Sequence, residues 1–97
     1  MPAYAIFTRE STSNPAELEA YMQKVGPTLE GHPVTLRAVY GKHEVLEGPP
    51  VEGVVILEFP TLADVKKWYN SPLYQSVAQH RFNGSTYRAV IVEGVAP

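Results

Sequence analysis

The chain contains no cysteine. That absence removes disulfides, thiolate nucleophiles and cysteine-ligated zinc or iron-sulfur sites together, and it fits a cytoplasmic protein. Clustered lysine and arginine are missing too. With 8 basic against 10 acidic residues and a net charge of −2, there is no electrostatic footprint for nucleic acid or anionic lipid. No apolar run is long enough to span a membrane, and the opening "MPAYAIFTRE" has neither the basic start nor the apolar stretch of a signal peptide. A glycine-rich phosphate loop, a GxSxG elbow and an HExxH pair are all absent, which leaves nucleotide binding and serine hydrolysis without a motif. His32, His43 and His80 show no HxH or HxxxH spacing, so no metal site and no cofactor are expected.

What is present describes one folded domain. Ninety-seven residues hold too little interior for two cores, and 44% hydrophobic with 19% charged residues is a globular composition. Ala3 to Arg9 is apolar and aromatic and runs into the polar "ESTSN", as a strand entering a loop does. Asn14 then suits an N-cap, Pro15 the first helical position and Glu17 a capping box. Leu18, Tyr21, Met22, Val25 and Leu29 follow at helical spacing, with Gly26-Pro27 predicting a kink or an early end. Val34 to Lys42 reads as a second strand, and "KHEVLEGPPVEG" as a short extension and a Pro/Gly loop. Val54 to Phe59 is a central strand stopped by Pro60. Thr61 and Asp64 cap a second helix, with Leu62, Val65, Trp68 and Tyr69 along one side. Ser71-Pro72 breaks it and recaps a turn or short helix in which Leu73 and Val77 continue the buried face. Thr86 to Gly94 is the fourth strand.

This order is βαββαβ, the ferredoxin-like α+β pattern. Right-handed crossovers put both helices on one face of a four-stranded antiparallel sheet, with strands one and three central. The other face is expected to need cover as well. Ile6, Val54, Ile56, Ala89 and Ile91 are placed on the opposite pleat from Phe7, Val55, Leu57, Phe59, Val90 and Val92, so neither face is polar. With only two helices available, a second copy of the chain is the expected cover, in a homodimer joined through the sheet faces.

The segments "MPAYAIF", "EVLEG", "VVILEFPTLADVKKWYNSPLYQ" and "VIVEG" together resemble the family called domain of unknown function 1330. That family consists of small bacterial proteins in the dimeric α+β barrel superfamily, and the resemblance spans essentially the whole chain. It implies the same fold and dimer. Superfamily relatives include cofactor-independent monooxygenases, muconolactone-type isomerases and polyketide-modifying enzymes, with pockets between sheet and helices or inside the shared barrel; for chemistry this is analogy of fold alone.

Several residues are candidates for chemistry. Glu58 ends an apolar run on the pleat of Val54 and Ile56, where partial desolvation suits a general acid or base; the alternative is an ion pair with Arg37, Arg81 or Arg88. His43, beside Glu44 in a loop, is the candidate proton shuttle, against an ordinary exposed histidine. Tyr69 and Trp68 point about 100° apart on a helix, so one can line a ligand pocket while the other packs. Arg37 and Arg81 are candidate partners for a substrate anion, with structural ion pairing and a helix C-terminus as their plainer readings. Two functions follow. One is a small cofactor-independent isomerase, cyclase or monooxygenase acting on an apolar or aromatic metabolite, and the other is a non-catalytic ligand-binding or structural homodimer. A minor third is an N-terminal-proline tautomerase, with Pro2 as base after loss of Met1, although the rest of the chain does not resemble the tautomerase pattern.

Overall fold

The computed structural model describes residues 1–96. The elements are β1 (Ala3–Thr12), α1 (Pro15–Thr28), β2 (Thr35–Val39), β3 (Gly53–Phe59), α2 (Leu62–Tyr69), α3 (Pro72–Gly84) and β4 (Ser85–Glu93). They form a four-stranded antiparallel sheet in the order β2-β3-β1-β4. The ferredoxin-like fold and its central strands are as the sequence predicts, and the expected break at Ser71-Pro72 is there, followed by a helix of 13 residues in place of a turn or short helix.

The helix starts follow from local chemistry. Asn14, Thr61 and Ser71 are the three N-caps, and each side chain accepts from the backbone N–H three residues on. Asn70 N–H closes α2 on Lys66 C=O, and Ser71 then opens α3 at Pro72. Proline costs nothing at a first helical position, where its missing N–H has no partner to lose. Pro27 does not end α1 early. The helix runs to Thr28, whose hydroxyl donates to Val25 C=O at 2.6 Å, while Leu29 N–H closes the end on Gly26 C=O. One hydrogen bond lost in the last turn is tolerated when both neighbours are held.

On the helix side the core is aromatic. Ala3, Ala5 and Phe7 of β1 and Leu57 and Phe59 of β3 face Val65, Trp68, Tyr74, Val77 and Ala78. Trp68 is the hub, stacked on Phe59 at 5.8 Å and tilted on Tyr74 at 4.3 Å, with Phe7 edge-on at 6.1 Å. Such pairs add about 0.5–1.5 kcal/mol each beyond the area they bury. The indole N–H donates to the Thr28 hydroxyl at 3.1 Å, which fastens α2 to the end of α1.

Gly84 joins the ends of two helices. Its carbonyl accepts from the N–H groups of Ser13 and Asn14 at 2.9 and 3.0 Å, and a Cβ placed on it would stand 2.8 Å from Asn14 O and from Leu18 N. Only glycine permits that approach.

Four local expectations change. Leu73 is exposed and Tyr74 fully buried, because Pro72 starts α3 one residue out of phase with α2. No strand extends β2 into the loop: Tyr40 takes a left-handed backbone, φ 54°, and residues 41–52 are irregular. β1 is longer than expected, since beyond a bulge Ser11 and Thr12 still pair with Thr86 and Ser85. Finally, the β4 faces are reversed. Val90 and Val92 stand opposite Ile6 and Tyr4, whereas Ala89 and Ile91 stand opposite Phe7 and Ala5 on the helix side. "AVIV" is apolar at every position, so only the pairing register sets its phase.

The open face therefore carries Tyr4, Ile6, Val54, Ile56, Glu58, Val90 and Val92. Val90 and Val92 are about half exposed, and among the described residues no element covers this side.

Candidate functional site

Between α1 and the helix side of the sheet lies a cleft of about 230 Å³. Met22 and Val25 of α1 and its C-cap Leu29 form one wall, and Val55, Leu57 and Phe7 the other. Trp68 also lines it. The mouth is at the β2 edge, where the lining residues Leu36 and Val39 are more than half exposed. The walls are almost wholly apolar, as a small-molecule site requires, with Tyr21, Tyr40 and Tyr87 as the polar groups among them.

Those tyrosine hydroxyls are held in two hydrogen-bonded pairs. Tyr40 OH and Tyr87 OH are hydrogen-bonded at 2.5 Å, and Tyr21 OH and Tyr74 OH at 2.9 Å. Burial pushes the Tyr21 hydroxyl well above its ordinary value, and its bond to Tyr74 adds to this. Tyr40 is raised in the same way, by burial and then by Tyr87, while Arg9 and Arg81 pull in the opposite direction. Tyr74 is raised by burial as well. These three hydroxyls stay protonated at neutral pH and act as donors and acceptors, not as bases.

Arg81 sits among the same rings. It is 4% exposed, with its guanidinium carbon 5.0 Å from the Tyr87 ring centre, 5.3 Å from Phe7, 5.9 Å from Tyr21 and 4.8 Å from Phe82. Among the described residues no carboxylate lies within ion-pair distance of it, and its Nε has no hydrogen-bond partner. Ring faces offset part of the cost of burying a cation. Arg9 approaches from the other side, 5.0 Å from the Tyr40 ring centre, and is paired with Glu52 at 3.0 Å. Burial opposes the charge on Arg9, but Tyr87, Tyr40 and Glu52 more than offset it, so its pKa is raised.

The structure does not bring the sequence candidates into one place. Glu58 pairs across the sheet with Tyr4 and Thr35, on the open face, where its carboxylate meets Arg37 Nε at 3.1 Å. Tyr69 lies on the helix side and lines a second cavity of about 230 Å³, between α2 and β4, with Lys66 and Asn70. Glu58 and Tyr69 thus face away from each other. His43 is in the loop after β2, with its two ring nitrogens within reach of the Gly41 and Val51 carbonyls. Trp68 lines the first cleft, Arg81 lies behind its aromatic wall, and Pro2 lines neither cavity. His80 joins α3 to α1 through Glu17 at 2.5 Å. No cluster of three or more potential metal ligands occurs among the described residues.

Tyr40, Tyr87, Tyr21 and Arg9 are the functional candidates that sequence reading missed. Tyr21 fell on a helix face that read as core, and the others on strands where aromatic residues are ordinary. The available signal was chemical: a buried tyrosine needs a partner for its hydroxyl.

Solved structures share this fold at low sequence identity. A protein of unknown function from Rhodopseudomonas palustris is 21% identical, with 99% of this chain and 84% of that one covered and a TM-score of 0.72. A dimeric ferredoxin-like protein of unknown function from Jannaschia sp. CCS1 is 12% identical over 97% and 100%, also at 0.72. SnoaB, a cofactor-independent oxygenase from Streptomyces nogalater, is 14% identical over 99% and 95%, at 0.66. No curated protein matches the chain in sequence. The model of one family, Domain of unknown function (DUF1330), matches residues 2–95, and the chain belongs to that family.

Proposed function

We propose that this protein is a homodimer that binds a small apolar or aromatic metabolite in the cleft between α1 and the sheet. The observation that carries the reading is the cleft itself: about 230 Å³ of apolar wall with tyrosine hydroxyls as its polar groups and a buried arginine behind them. Apolar walls supply affinity, and the few polar groups orient the ligand. The dimer is supported by the uncovered apolar side of the sheet and by the dimeric description of fold neighbours. Joining two copies through these faces would remove Ile6, Ile56, Val90 and Val92 from water.

A second reading is a cofactor-independent enzyme of the isomerase, cyclase or oxygenase type. It is supported by the likeness in fold to SnoaB. Here the chain's residues would hold the substrate flat against Trp68 and donate tyrosine hydrogen bonds to a carbonyl oxygen, which stabilises its enolate form. No carboxylate or histidine lines the cleft. The geometry therefore favours binding and polarising a ligand over removing a proton from it.

Trp68 is the only tryptophan and lines the cleft, so its fluorescence reports occupancy directly. Titration with N-phenyl-1-naphthylamine, a neutral apolar probe, is expected to quench it saturably, and Val25→Phe, which narrows the cleft without adding a second indole, to weaken or abolish the response. Absence of saturable quenching in the wild type sinks the binding reading.

A further inference from the structure

We infer that the ligand carries an oxyanion, a carboxylate, phenolate or enolate oxygen on a flat apolar body, received by the Tyr40–Tyr87 hydroxyl pair and the guanidinium charge of Arg81. This rests on the cleft being the binding site and names the chemistry of the ligand's polar end.

Proton counting comes first. Two hydroxyls joined by one hydrogen bond use one of their two protons, and the other is left to donate. Tyr40 and Tyr87 both line the cleft, so that free proton belongs to the cleft wall. Tyr40 is held in its neutral form by burial and by Tyr87, which keeps that remaining proton on the pair and available to donate.

Charge comes second. Of the two cations around this pair, Arg9 has a carboxylate, Glu52, and Arg81 has none among the described residues. Arg81 is almost fully buried and its Nε is unpartnered. An unpaired buried charge is costly and is stabilised by a counter-charge arriving in the same low-dielectric space. Three of the four rings around its guanidinium, those of Phe7, Tyr21 and Tyr87, are also cleft walls. The positive field of Arg81 therefore reaches the cleft through them.

Backbone strain comes third. Tyr40 holds a left-handed conformation that costs a non-glycine residue on the order of 1–3 kcal/mol. Directly beneath it is Gly53, where a Cβ would stand 2.5 Å from the Tyr40 ring. A strained residue, and a glycine that makes room for it, together set the Tyr40 hydroxyl against Tyr87.

The test compares 2-naphthoate with 2-naphthamide, equal in shape and different in charge, beside neutral N-phenyl-1-naphthylamine, by calorimetry at neutral pH. The wild type is expected to bind the naphthoate about tenfold tighter than the amide, the size of one charge-assisted hydrogen bond. Tyr40→Phe and Gly53→Ala are expected to reduce that ratio to about twofold, whereas Lys67→Gln on the surface retains it. Arg81→Gln should remove the ratio altogether; should that variant not fold, Tyr40→Phe decides. If N-phenyl-1-naphthylamine binds but naphthoate and amide bind equally, the oxyanion inference is wrong and the cleft reading stands. A preference for naphthoate that survives both Tyr40→Phe and Gly53→Ala also overturns it. Failure of all three compounds to bind overturns both.

Discussion

Two arginines on opposite sides of one sheet have opposite settings. Arg37, on the open face, is half exposed and paired with Glu58, and the same face carries Ile56, Val90 and Val92 with no element over them among the described residues. Arg81, on the helix side, is buried among rings with no carboxylate near it among the described residues. The open face is satisfied in charge and lacks apolar cover, so what completes it is a surface. The helix face is covered, and its buried cation has no carboxylate beside it among the described residues, which is the setting the proposed anionic ligand would complete.

The contrast can be broken from the helix side first, and most strongly by alkali. Tyr21, Tyr40 and Tyr74 have folded pKa values raised above the ordinary 10.0. Above pH 10 the unfolded chain releases these protons and the folded chain keeps them, so the unfolded state binds fewer protons and stability falls as pH rises. The contribution is complete below pH 10. A tyrosine that stays protonated in the fold while it is ionised in the unfolded chain costs about 1.4 kcal/mol per pH unit. Tyrosinate absorbance at high pH should then rise together with loss of the circular dichroism signal. A smooth titration of all six tyrosines near pH 10 in the folded protein would contradict the network.

Trp68→Ala removes the hub of the same face and is expected to cost about 3–5 kcal/mol in urea unfolding followed by circular dichroism. Gly84→Ala forces α3 away from the backbone of α1 and is expected to cost about 1–3 kcal/mol, since the nearest atoms cannot rotate aside. The open face should respond differently. Ile56→Lys is expected to change monomer stability by about 1 kcal/mol or less, yet to convert a dimer to a monomer in sedimentation equilibrium. If the wild type itself sediments as a monomer at micromolar concentration, the face needs another explanation. Smallest of all is Glu58→Gln, which breaks a pair that is over a quarter exposed at one end and over half at the other, at a cost of less than about 1 kcal/mol.

The fold was legible wherever its causes are local. Asn14, Thr61 and Ser71 mark helix starts because a cap acts within three residues of itself, and Pro60 marks the end of β3 because it has no N–H to pair. The pleat of Glu58 was legible too, since Val54, Ile56 and Glu58 alternate with Val55 and Leu57. Which pleat meets the helices was not, because both are apolar, and that one unknown separates Glu58 from Tyr69. Arg81 and Trp68 could be singled out, though not the burial of Arg81, which depends on rings from β1, β4 and α1 together. Tyr40, just past β2, and Tyr87 of β4 come from opposite edges of the sheet, 47 residues apart, and their meeting depends on pairing through β3 and β1. Such a contact has no local signature.

The two bonds to the Gly84 carbonyl make the start of α1 a fixed pivot. Leu18 packs there, whereas Met22, Val25 and Leu29, which bound the cleft, lie at increasing distance along the lever. If α1 yields to a ligand broader than the cleft, the expected motion is a tilt that grows toward its C-terminal end, where the Trp68–Thr28 bond holds it. Amide hydrogen exchange is expected to quicken along the helix from Leu18 to Thr28 in the free protein and to level on binding. Uniform exchange along α1 would mean that the helix moves as a whole or not at all.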